Sequence, residues 1–137
     1  MPEFIRRGRL FRVVSFNPSH RQLMLWSEAT VIDKTTTRVE VYIGHVELMF
    51  LKPYYEEGLH IRRATEAEFA VLRERHGIEA DKAQWTWMLE PGGGGSFVVG
   101  GKPGWREAEF DLLDRESLFD FSKTWPPEYP AEWGTVD

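Results

Sequence analysis

The run Thr37–Leu51, TRVEVYIGHVELMFL, constrains the fold more than any other part of this chain. Val39, Val41 and Ile43 share one face before Gly44-His45, and Val46, Leu48 and Phe50 share one face after it. Side chains alternate faces along a strand with period two, so this change of phase needs an extra residue, a bulge or a turn. Gly44 offers permissive backbone at the slip. The pattern predicts a long bent antiparallel strand or a tight hairpin, and with it a curved β-rich domain.

The flanking sequence extends that reading. Leu10–Phe16 and Gln22–Ser27 read as strands joined by the turn Asn17-Pro18-Ser19-His20. Both are apolar at nearly every position, as in strands covered on both faces or lying at an interface, and an apolar edge such as Leu23–Trp26 would suit a homodimer. Asp33–Thr36 is a further turn. Lys52-Pro53 ends the bent strand, because proline lacks the ladder amide. Leu59–Ala64 then alternates as a partner strand, which would set Phe50 against Leu59, Leu48 against Ile61 and Glu47 opposite Arg62. Thr65-x-x-Glu68 is a capping box, followed by Phe69, Leu72 and His76 at helical spacing and by Gly77 as a stop. These signals predict one short helix over about 66–76.

Trp85–Leu89 reads as a strand, Pro91–Ser96 as a loop, and Phe97–Val99 as a strand that resumes near Arg106–Leu113. GGGGS at 92–96 is also the unit of flexible linkers, but the glycine-rich style continues through Gly104, which favours a natural loop. The fold class expected is α+β, mostly antiparallel, a curved sheet or partial barrel with that one helix. Residues 1–123 read as a single domain. The proline- and aromatic-rich tail, 124–137, would be folded back through Trp125 and Trp133, be disordered, or serve as a ligand for a partner.

At 137 residues, with 42% hydrophobic and 14% aromatic content, the chain can bury roughly two-thirds of its unfolded surface without staples. It has no cysteine, which removes disulfides, thiolate metal sites and cysteine nucleophiles. MPEFIRRGRLFRVV contains no apolar run of signal-peptide length, and no segment reaches the ~20 apolar residues of a membrane span. A cytoplasmic protein with no membrane contact is the expectation. The net charge of −5 is uneven: residues 105–137 carry nine acidic groups against three basic ones. Such a surface disfavours nucleic acid and favours a basic partner, although solvated charges that maintain solubility give the same pattern.

Motifs for chemistry are sparse. His20, His45, His60 and His76 show no ligand spacing, so neither a metal nor a cofactor is expected. His45 stands apart because it follows the glycine of the phase slip, where bulges re-aim side chains. Glu107, Glu109 and Asp111 share one strand face, as do the acids of an ordinary half-exposed edge strand. Nucleophile-elbow, phosphate-loop and dinucleotide motifs are absent, so no enzymatic activity is expected. Arg6, Arg7, Arg9 and Arg12 form the basic cluster, too narrow for a nucleic-acid face. The aromatic residues carry the best functional hint. Trp85 and Trp87 at i, i+2 would share a strand face, and Tyr54 and Tyr55 lie by a loop; each could equally fill the core.

The order SHRQLMLWS, TRVEVYIGHVELMFL, GLHIRRAT and then SFVVGG before an acidic strand resembles small uncharacterised bacterial β-rich proteins, some loosely grouped with immunity proteins of toxin systems. That resemblance implies an antiparallel sheet with a helix and a role in binding a protein. Two functions follow. One is a non-enzymatic protein-binding module, an immunity-like inhibitor that meets a basic partner through Trp85, Trp87, Tyr54, Tyr55 and His45 ringed by Glu107, Glu109 and Asp111. The other is a β-barrel for a small hydrophobic ligand, with Trp85, Trp87 and Tyr54 lining its pocket.

Overall fold

The structure, a computed structural model, describes residues 2–30, 35–92, 94–109, 117–119, 125–126 and 130–137. The strands in chain order are β1 (Phe4–Arg7), β2 (Phe11–Asn17), β3 (Gln22–Ser27), β4 (Thr37–Ile43), β5 (Leu48–Phe50) and β6 (Tyr54–Tyr55). They continue as β7 (Gly58–Arg63), β8 (Thr86–Met88), β9 (Phe97–Val99), β10 (Gly104–Glu109) and β11 (Ala131–Thr135), with helix α1 (Glu66–His76) after β7. A 3-10 turn, Ala80–Trp85, leads into β8. Among the described residues all pairings are antiparallel, and they build two sheets, ordered β1-β7-β8-β9-β5 and β11-β10-β4-β3-β2-β6. No helix among the described residues is long and apolar enough to cross a membrane.

The main core lies between the sheets. Phe4, Leu59, Ile61, Trp87 and Val98 come from one side, and Phe11, Leu23, Leu25, Val39, Val41 and Ile43 from the other. Helix α1 covers the opposite face of the five-stranded sheet. Period-two alternation therefore sends Trp87, Leu89 and Val98 into the inter-sheet core. The same alternation sends Met88, Phe97 and Val99 under Phe69, Leu72 and Ile78. Strands β8 and β9 are buried on both faces and apolar at every position except Thr86, whose hydroxyl bonds the Lys82 carbonyl.

The phase slip marks a change of sheet. β4 ends at Ile43 in the six-stranded sheet, and β5 begins at Leu48 in the other. Val46 still reaches the inter-sheet core, Leu48 packs on the helix side, and Phe50 is 61% exposed. The hairpin expected between this run and Leu59–Ala64 does not form. β5 pairs with β9 (Leu48↔Val99, Phe50↔Phe97), and β7 pairs with β1 and β8. After Pro53 the chain first adds β6 to β2 (Phe11↔Tyr55), so β7 returns on the far side of its own sheet. Glu47 and Arg62 accordingly find other partners, Lys82 and Glu68. At the C-terminus β11 pairs with β10, and Val136 is fully buried in the inter-sheet core. Trp125 and Trp133 meet edge to face at 5.7 Å, with Trp133 on β11; residues 124 and 127–129 of the proline-rich tail lie outside the described residues.

The helix forms where the capping box places it. The Thr65 hydroxyl accepts the Glu68 amide at 3.2 Å, and the Glu68 carboxylate accepts the Thr65 amide at 2.9 Å. Gly77 ends it with φ 66°, its amide donating to the Arg73 carbonyl. Glu68 also takes both terminal nitrogens of Arg62, at 2.6 and 2.8 Å, which ties the helix start to β7. That fork, with the Thr65 amide, pulls the Glu68 carboxyl from 4.5 to about 2. A carboxylate lowered in this way adds stability above its unfolded value, and the gain is lost as pH falls from 4.5 through about 2. Glu68→Gln should therefore cost about 1–2 kcal/mol at pH 7, and chemical denaturation should show the gap to wild type narrowing on acidification. A gap independent of pH would assign the loss to cap geometry instead of charge.

Candidate functional site

Two chain crossings between the sheets lie against each other and build an open cleft. One is Gly44–Glu47, from β4 to β5; the other is Gly100–Pro103, from β9 to β10. The Gly101 amide donates to the Gly44 carbonyl at 2.8 Å, and the Glu47 amide donates to the Val99 carbonyl at 2.8 Å. The contact is close enough to favour glycine. A Cβ on Gly100 would stand 3.1 Å from the Gly44 oxygen and 3.2 Å from the Val46 Cα. The 3-10 turn closes the third side: the Gly100 amide donates to the Trp85 carbonyl at 3.0 Å, and the Thr86 hydroxyl donates to the Lys82 carbonyl at 2.9 Å.

The resulting cleft of about 240 Å³ is lined by His45, Glu47, Lys82, Trp85, Val99, Gly100 and Gly101. Trp85 is 42% exposed and forms an aromatic wall. Lys82 Nζ and Glu47 Oε1 stand 3.1 Å apart at the rim, and the Glu47 carboxylate raises the Lys82 ammonium above its ordinary range. His45 is exposed and adopts φ 52°, a left-handed conformation in a residue that is not glycine. The permissive backbone expected of Gly44 is thus used one residue later; at Gly44 a Cβ would meet the Tyr42 ring, its nearest atom the hydroxyl at 3.2 Å. The site offers an aromatic face, an imidazole, one charge of each sign and a flat backbone floor. Among the described residues none hydrogen-bonds His45, and no three acidic or histidine side chains gather to hold a metal.

The structure separates most residues singled out from the sequence. His45 and Trp85 meet in the cleft, 40 positions apart in the chain. Trp85 and Trp87 do not share a face: β8 starts at Thr86, so Trp85 ends the 3-10 turn, while Trp87 is 0% exposed. Trp87 serves from beneath, its indole Nε1 donating to the Gly100 carbonyl at 3.1 Å. Tyr54 and Tyr55 alternate on β6. Tyr54 is exposed; Tyr55 is buried, its hydroxyl bonded to Ser96 Oγ at 2.8 Å and to the Lys52 amide at 3.0 Å.

Glu107 is engaged inside the molecule. It accepts from Arg6 Nε at 2.9 Å and from the Thr37 hydroxyl at 2.7 Å, with Arg9 at 3.9 Å. Glu109 is exposed at the end of β10, and Asp111 lies outside the described residues. Arg9 is buried and bonds Ser27 and Thr37, so part of the basic cluster and part of the acidic strand neutralise each other.

Sequence reading missed Lys82, Glu47 and the two glycines. The available signal was Gly100-Gly101 directly after an apolar strand, which marks close backbone approach. It also missed that β4 is covered on its second face. Glu40 is buried and accepts from Ser117 Oγ at 2.6 Å and the Leu118 amide at 2.8 Å, with Arg38 at 3.6 Å. Burial raises its carboxyl despite those bonds. A second concavity, about 400 Å³, runs between α1 and β5, with Phe50, Val71, Leu72, Met88 and Phe97 among its walls and Arg75, His76 and Glu68 at its polar positions.

His45→Gly tests whether the left-handed turn is held for its side chain. Glycine adopts φ > 0 freely, so thermal stability should stay level or rise by up to about 1 kcal/mol. A lower melting temperature would show that the imidazole is itself a structural contact. No protein-family model matches the chain, and no curated protein or solved structure matches it.

Proposed function

We propose that this protein is a non-enzymatic binding module whose site is the surface cleft at the paired crossings, suited to a small ligand with one flat ring. One observation carries the reading: the tertiary structure brings an exposed tryptophan, a left-handed histidine and an opposite-charge pair around one concavity with a backbone floor. Backbone hydrogen bonds fix three sides of it, so little ordering is required on binding. Trp87 occupies the inter-sheet core, which favours a surface site over a barrel interior. Glu47, the carboxylate that shares the cleft with His45, is paired with Lys82. The small cleft implies modest affinity, in the micromolar to millimolar range. Calorimetric titration with single-ring compounds should detect binding to wild type and at least an approximately tenfold loss in Trp85→Ala, given the worth of a desolvated aromatic contact. Equal binding by both proteins would overturn the reading.

The protein-binding reading draws support from the second concavity. Phe50 lies on β5, which ends the order of its sheet, and Val71 stands exposed across the groove. An edge strand with an adjoining apolar groove suits an extended peptide segment of a partner. The anchor would then be Phe50, in place of Trp87 and Tyr55, and an immunity-like role would use this face. A partner co-purifying from the host should be lost with Phe50→Asp and retained with Trp85→Ala. The opposite pattern would move the interface to the cleft.

A further inference from the structure

The charges at the cleft rim narrow the ligand class. Resting on the small-ligand reading above, we propose that the cleft binds a zwitterion of the α-amino-acid type, with an aromatic or apolar side chain. Lys82 Nζ and Glu47 Oε1 are 3.1 Å apart, and both side chains are partly exposed. An exposed ion pair of this kind is weak, so a ligand can open it easily. What replaces it depends on the ligand's charge. A simple anion that reaches Lys82 displaces Glu47 and then faces that carboxylate as a like charge; a simple cation on Glu47 faces Lys82 in the same way.

A zwitterion avoids both penalties. The carboxylate and ammonium of an α-amino acid are joined through one carbon, so they stand side by side as the rim charges do. Its carboxylate meets Lys82 while its ammonium meets Glu47, and two complementary pairs replace one. The side chain then lies against the exposed face of Trp85 and the Val99 wall. His45, exposed in the same cleft, supplies a further hydrogen-bonding group beside the ligand's polar end. Gly100 and Gly101 line the same cleft, and their missing side chains let the Gly44–Glu47 crossing and the His45 ring pack close beside it.

The test is a calorimetric series at one pH and ionic strength with four compounds that share a ring. Phenylalanine carries both charges, 3-phenylpropanoate only the anion, 2-phenylethylamine only the cation, and 3-phenylpropanol neither. Phenylalanine should bind about tenfold more tightly than each of the other three. Lys82→Met should abolish that preference over the amine, and Glu47→Gln should abolish it over the propanoate; both sites are on the surface, and circular dichroism checks that the variants fold. If a singly charged or neutral compound binds wild type as tightly as phenylalanine, the zwitterion assignment is overturned while the cleft stands. If none of the four binds, or if Trp85→Ala binds all of them unchanged, the cleft reading itself is overturned.

Discussion

The hydrogen bond from the Gly101 amide to the Gly44 carbonyl joins the two places where the chain leaves one sheet for the other. Glycine at 100 and 101 suits the contact, because a Cβ at either would stand 3.1 Å from the Gly44 oxygen and push the crossings apart by a few tenths of an ångström. Around it the Glu47 amide bonds Val99, the Val46 amide bonds the Arg21 carbonyl, and the indole of Trp87 caps the Gly100 carbonyl from the core. These are buried or half-buried polar groups that the crossings would otherwise leave unsatisfied, each at a cost of about 1–3 kcal/mol. The sandwich geometry, the placement of the 3-10 turn and the cleft all depend on this knot of contacts. Trp87 links them to the core, since the same side chain fills the inter-sheet space and fixes the cleft floor.

Charge is handled internally more than the sequence suggests. The Arg6–Glu107–Thr37–Arg9 cluster ties β1 and its exit to β4 and β10. On the outer face of the six-stranded sheet, Arg38 bridges Glu28 and Glu40, and Arg106 stacks on Phe119 while donating to the Leu118 carbonyl. Charged side chains here are joints between elements, and their desolvation is offset by geometry that only the assembled fold provides. An acidic second half therefore does not translate directly into an acidic docking face. The rim pair Lys82–Glu47 differs because it is exposed and adjoins a concavity.

Local signals were the most legible. Thr65, Glu68 and Gly77 placed α1 to the residue, because capping satisfies backbone groups within a few positions of the chain. Asn17 marked the first hairpin, where its side-chain oxygen accepts the Ser19 amide. The alternation of Val39, Val41 and Ile43 identified an inward face correctly. The phase slip at Gly44-His45 was visible too, but a slip is equally consistent with a bulge, a hairpin and a change of sheet. Pairing Phe50 with Leu59 failed for that reason: adjacent strands in sequence were separated by the excursion into β6.

The sequence by itself determined the antiparallel β-rich character, the helix with both its ends, and the positions where the chain must turn. Those properties are set by neighbours within a few residues, through side-chain periodicity, capping and the conformational limits of proline and glycine. The tertiary structure decided which strands pair, which of Trp85 and Trp87 meets water, and that His45, Glu47, Lys82 and Trp85 surround one cleft. Those outcomes rest on contacts between residues far apart in the chain, where alternation fixes a face but leaves the partner open.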